Sequence, residues 1–153
     1  ILGASSLYLN LPLNQVLPDI RLITQLDAIA QKIQPEAIYT HWIHDSHQDH
    51  RTVAQAAISV ARTNQCAVYM YELIPSGIVP YAFRAQRYIV VSQTFPSKLE
   101  SLQAHASQTQ RLGTAWLRGI SGLAMFRGYQ IGADYAEAFE VVKEVIPAGR
   151  SML

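Results

Sequence analysis

Between Asp19 and Tyr71, amphipathic helical segments alternate with short apolar runs, an order that points to a layered α/β domain. Ile20, Ile23, Leu26, Ile29 and Ile33 recur at helical spacing, and Asp19 stands where an N-cap belongs. Gln34-Pro35-Glu36 breaks that helix, and Ala37-Ile38-Tyr39-Thr40 follows as a short strand. Val53, Ala56, Ala57 and Val60 then fall on one helical face, with Ser46 or Asp49 placed to cap its start. Cys66 to Tyr71 is the next strand. The expected fold is a Rossmann-like parallel sheet with flanking helices.

The flanks are read the same way. Leu7 to Leu11 is apolar and short and reads as a buried strand. Glu72 to Arg87 carries Pro75, Gly77 and Pro80 and reads as a long surface loop. Tyr88 to Val91 is a strand, and a helix from about Thr94 turns Phe95, Leu99 and Leu102 inward. A further helix runs from about Thr114 to Phe126. Ala136 to Val142 closes as either a strand or a short helix.

At 153 residues, half of them apolar and 15% charged, the chain has the length and composition of one domain with a buried core. A net charge of +1 without a basic block gives no support for nucleic-acid binding. No stretch approaches the roughly 20 apolar residues of a membrane span. The lone Cys66 reads as a small core residue, consistent with a reducing, cytoplasmic setting. Self-association is left open.

Chemistry concentrates where the strand at Ala37–Thr40 ends. Four of the five histidines, His41, His44, His47 and His50, lie in one short run with Asp45 and Asp49. Ligands in open α/β sheets bind beyond the carboxyl ends of strands, and this run leads into a helix N-terminus. Imidazole is the commonest neutral metal ligand, and a nearby carboxylate can orient it. His50 shares a helical face with Val53 and is the candidate metal ligand. His47 is the candidate proton donor or oxyanion stabiliser. His41 and His44 read as solvated loop residues.

The run from Thr40 to Val53 resembles the second signature of the PIG-L/LmbE-like deacetylases, a His-x-Asp-His segment followed by Arg and a helix. The resemblance continues in Leu99 to Gln108, in Arg127-Gly128-Tyr129-Gln130 and in Tyr135 to Glu140. It implies a Rossmann-like fold and zinc-dependent hydrolysis of N-acetyl groups from amino sugars or their conjugates. By position it makes His50 one of the zinc ligands. It makes His47 the group that stabilises the oxyanion or protonates the amine, and Asp49 the acid that holds a histidine in its working tautomer. Tyr135 and Arg51 become candidate substrate contacts. Asp45 becomes a possible outer-shell group, and His105 reads equally as that or as a structural histidine.

One departure matters. The family's first signature, of the type A-H-P-D-D-E, supplies two zinc ligands and a general base, and no such segment occurs here. The chain also opens at Ile1 rather than Met, in apolar sequence that reads as domain interior. The expectation is therefore that residues 1–153 are the C-terminal portion of one deacetylase domain, lacking its leading βαβ region and inactive by themselves. The alternative is a non-catalytic relative of the same fold that binds a sugar or a protein.

Overall fold

A computed structural model describes residues 2–74 and 80–146. Pro75 and Gly77 of the expected loop, and Ile1, lie outside these. The order of elements is α1 (Ile20–Ile33), β1 (Ala37–Thr40), α2 (Gln48–Ala61), β2 (Ala67–Tyr71), β3 (Arg87–Val90), α3 (Phe95–Gln103), α4 (Ala106–Tyr129) and β4 (Ala136–Lys143). The chain divides into two compact units, one of residues 11–86 with 139–153 and one of residues 1–10 with 87–138. Among the described residues, no helix is long and apolar enough to cross a membrane.

In the larger unit, α1 begins where Asp19 accepts the backbone N–H groups of Arg21 and Leu22, at 3.0 and 3.1 Å. It ends at Gln34, which takes the left-handed conformation at φ 52°. β1 and β2 then pair in parallel, from Ala37 opposite Ala67 to Thr40 opposite Met70. The helical crossover between them is the reason for the parallel sense: α2 returns the chain to the starting edge of the sheet. Ala61, Cys66 and Val68 form the innermost cluster, with Ile38 packed on it. Cys66 is thus a core residue, 1% exposed.

β4 settles the ambiguity at Ala136–Val142 as a strand, and it runs antiparallel to β2, with Tyr71 opposite Phe139 and Met70 opposite Glu140. Strand–helix alternation alone does not reveal this reversal, because a mixed sheet with an antiparallel member uses the same order of elements. The expected helix cap also differs. Neither Ser46 nor Asp49 caps α2; His47 does, its side chain accepting the Asp49 N–H. Leu7–Leu11 is not a strand. Leu7 is 62% and Tyr8 79% exposed, and Asn10 at φ 52° interrupts the extended backbone a strand requires.

In the smaller unit, β3 lies beside the opening residues of β4, and Val91 donates to the Tyr135 carbonyl just beyond the pair. α3 buries Phe95, whose ring stacks on Tyr135 at 4.2 Å between centroids. α4 contains a break at Gly113, with φ 66° and ψ −171°, so the helix expected from Thr114 does begin afresh there. At its other end Gly128 packs against the following turn. A Cβ there would lie 2.5 Å from the Ala133 carbonyl oxygen, too close for any larger residue without a backbone shift.

Candidate functional site

The histidine run leaves the carboxyl end of β1 and enters α2, all within the larger unit. The turn is held from inside. Asp45 Oδ1 accepts the His47 N–H at 2.7 Å. Arg51 Nη1 donates to the carbonyl oxygens of Asp45 and Ser46, at 2.7 and 2.9 Å. Arg51, expected as a substrate contact, is therefore engaged with the turn's own backbone.

His47 Nδ1 accepts the Asp49 N–H at 3.1 Å. A nitrogen that accepts cannot carry the proton, so the neutral ring carries it on Nε2. That leaves Nε2–H as a donor. The helix start therefore fixes the tautomer of His47, a task the resemblance gives to the Asp49 side chain.

The Asp49 carboxylate faces elsewhere. It is 8% exposed and accepts the Asn14 N–H at 2.7 Å and the Val16 N–H at 3.4 Å. It ties the loop before α1 to the start of α2. Asp49→Asn keeps the shape but halves the acceptors, turning an amide NH2 toward a backbone donor. A loss of about 1–2 kcal/mol is expected, with faster hydrogen exchange at the Asn14 and Val16 amides. Unchanged exchange would show that the carboxylate does not hold the loop.

The carboxylate set against a histidine ring is that of Asp45. Its Oδ2 lies 3.1 Å from His50 Nδ1, at ion-pair distance, and that buried nitrogen has no hydrogen-bond partner among the described residues. His50 also meets two other rings. His41 lies flat against it, with centroids 3.9 Å apart and planes 5° from parallel. His47 stacks at 4.6 Å and 23°. His41 shares a 2.9 Å hydrogen bond between its Nδ1 and the Tyr71 hydroxyl. Burial first, then the neighbouring His50, lower the His41 pKa to about 4, so its ring is neutral at physiological pH. Burial, with the Asp45 charge, raises the Tyr71 hydroxyl to about 12, so it keeps its proton. His41 is thus no solvated loop residue. His44 is exposed and stacks on Tyr81 at 4.3 Å.

A cavity of about 170 Å³ adjoins the turn, lined by Trp42, Asp45, Ser46, Tyr81 and Phe83 among others. Asp45 therefore reaches both the histidines and this cavity. The described part of the Glu72–Arg87 loop contributes to its wall. Two expected site residues fall in the other unit. Tyr135 is stacked on Phe95, and its N–H donates to Ser92 Oγ at 3.1 Å. His105 is exposed at the start of α4 and makes no side-chain cap bond. Among the described residues, no group of three or more His, Cys, Asp or Glu is arranged to hold a metal ion. The fit to zinc is that of one donor: His50 has a buried ring nitrogen without a hydrogen-bond partner.

No protein-family model and no curated protein matches the sequence. Solved structures do. A conserved protein from Thermus thermophilus superposes with a TM-score of 0.75 at 17% identity, over 95% of this chain and 68% of its own. N,N'-diacetylchitobiose deacetylase from Pyrococcus horikoshii gives 0.72 at 20% identity, over 88% of this chain and 55% of its own. The 4-carboxy-2-hydroxymuconate hydratase from Pseudomonas putida gives 0.63 at 17%, over 87% and 62%. The chain thus spans between 55% and 68% of the lengths of these proteins. The two that are named for a reaction differ in chemistry, and a fold does not select between them. The chain has the fold of these three proteins, which is the α/β fold that the resemblance to PIG-L/LmbE-like deacetylases implies.

Proposed function

We propose that these residues belong to a protein that hydrolyses N-acetyl groups of amino sugars or their conjugates in a zinc-dependent reaction, and that the His47–His50 turn forms one wall of its active site. The observation that carries this reading is the arrangement of His47 and His50 at the carboxyl end of β1. One ring presents an Nε2–H donor, and the ring stacked on it has an unsatisfied nitrogen. N,N'-diacetylchitobiose deacetylase shows that this fold accommodates such a reaction.

His50 is the zinc ligand supplied by the described residues. A catalytic zinc site takes about three protein ligands and an open position. In this proposal the other two ligands and the general base come from residues outside those described, and residues 1–153 are the C-terminal part of one domain. Bound zinc contributes a Lewis acid and a water acidified toward neutral pH. His47 donates its Nε2 proton as a hydrogen bond to the acetamide oxygen as that oxygen gains charge, a contribution realised only in the transition state. Asp45 keeps His47 in register through its backbone N–H and places negative charge beside His50. Asp49 acts through its backbone N–H on His47, while its side chain fixes the preceding loop. Tyr135 and His105 are left as substrate-side and supporting candidates.

The test is zinc titration and acetate release from N-acetylglucosamine conjugates by the full-length protein. Wild type is expected to bind one zinc and release acetate. His50→Ala is expected to lose both. A His50→Ala protein that keeps its zinc would remove His50 from the ligand set. A full-length protein that binds the sugar without releasing acetate would favour the non-catalytic alternative.

A further inference from the structure

Among the described residues, no hydrogen bond sets the plane of the His50 ring. Asp45 Oδ2 lies 3.1 Å from Nδ1, at ion-pair distance, yet that buried nitrogen has no hydrogen-bond partner. Stacked rings flank it instead: His47, at 4.6 Å and 23°, and a closer, flatter surface. His41 lies parallel to His50 within 5°, at 3.9 Å, and His41 is itself held at Nδ1 by the Tyr71 hydroxyl at 2.9 Å. Tyr71 also meets the His41 ring edge-on, with centroids 5.0 Å apart. Both anchors are rigid. His41 follows directly on β1, and Tyr71 ends β2, opposite Phe139 of β4.

We propose that His41 and Tyr71 are a positioning pair that sets the plane of the His50 imidazole before any ligand arrives. The inference rests on the reading of His50 given above. An imidazole nitrogen offers its lone pair in the plane of the ring, so a tilt of the ring moves the point at which it meets a metal ion. Tyr71 holds His41, and His41 holds His50. Neither Tyr71 nor His41 needs to touch substrate or metal.

The experiment compares His41→Ala, the double variant His41→Phe/Tyr71→Phe and His50→Ala in the full-length protein. One readout is the NMR shift of the His50 ring protons in zinc-free protein, which sense an overlying ring. The other is zinc affinity. His41→Ala is expected to move the His50 resonances and to weaken zinc binding by about 10- to 100-fold, the usual range for groups that orient a ligand. The double variant keeps a flat ring and the edge-on contact but loses the hydrogen bond that holds the ring, so it is expected to recover both only in part. The proposal is overturned if His41→Ala leaves the His50 resonances in place, if the double variant behaves like His41→Ala, or if the double variant recovers fully, since the Tyr71 hydroxyl would then hold nothing. His50→Ala separates the two ideas. Unchanged zinc affinity there defeats the ligand assignment, while the resonance shifts still decide the positioning.

Discussion

His47→Ala is expected to lower kcat by about a hundredfold or more while the bound metal stays in place. The expectation follows from the tautomer. Nδ1 is occupied by the Asp49 N–H, so the group that faces outward is Nε2–H, a donor rather than a metal-binding lone pair. Alanine also removes the N-cap acceptor of α2, which costs about 1 kcal/mol of stability by itself. His47→Asn separates the two effects, because asparagine is a strong N-cap residue but lacks the reach of the outer imidazole nitrogen. It should restore the melting temperature and leave kcat low. Metal analysis beside steady-state kinetics decides the matter. Loss of metal in His47→Ala would make His47 a ligand instead.

The second large effect is on stability. Glu140 is 7% exposed on β4 and accepts the Trp42 Nε1–H at 3.0 Å and Arg84 Nη2 at 2.7 Å. Glu140→Ala orphans a buried indole N–H and deletes a charge-assisted bond, a loss of about 3 kcal/mol. The same carboxylate makes stability depend on pH. Burial pushes its pKa up, but the hydrogen bonds from Arg84 and Trp42, with the Arg84 charge, outweigh that and hold it below the ordinary 4.5. Its folded pKa is therefore lower than its unfolded one. The stabilisation is fully present above the unfolded value and disappears as pH falls through the folded value. Denaturant titrations from about pH 3 to pH 7 should show Glu140→Gln losing part of the acid-side slope seen in wild type. A Glu140→Gln curve parallel to wild type throughout would show that this carboxylate does not carry the dependence.

How far the sequence was legible follows from the range of the interactions. α1, β1, α2 and β2 were readable because their signals are local: a helical repeat from Ile20 to Ile33, a cap at Asp19, and short apolar runs between breakers. Leu7–Leu11 misled because apolar composition does not reveal whether a partner strand exists. His47 and His50 stood out by their spacing within one turn of chain. Asp49 did not disclose its partners, since Asn14 lies 35 residues upstream. His41 looked like a loop residue because Tyr71, 30 residues on, is what holds it. Trp42 and Glu140 are 98 residues apart, and no periodicity couples them. The reversal of β4 was hidden for the same reason, because strand sense is decided by distant pairing.

The break at Gly113 makes α4 energetically unequal along its length. A glycine at φ 66° and ψ −171° interrupts the helical run of hydrogen bonds, so Ala106–Leu112 cannot draw on the cooperativity of Thr114–Tyr129. A piece of about two turns is far below the roughly 12–15 residues at which a helix is even marginal in water. Its amides should therefore exchange with solvent by local fraying, at rates set by that short piece alone. Those beyond Thr114 should exchange far more slowly, in step with the packing around Ala124 and Gly128.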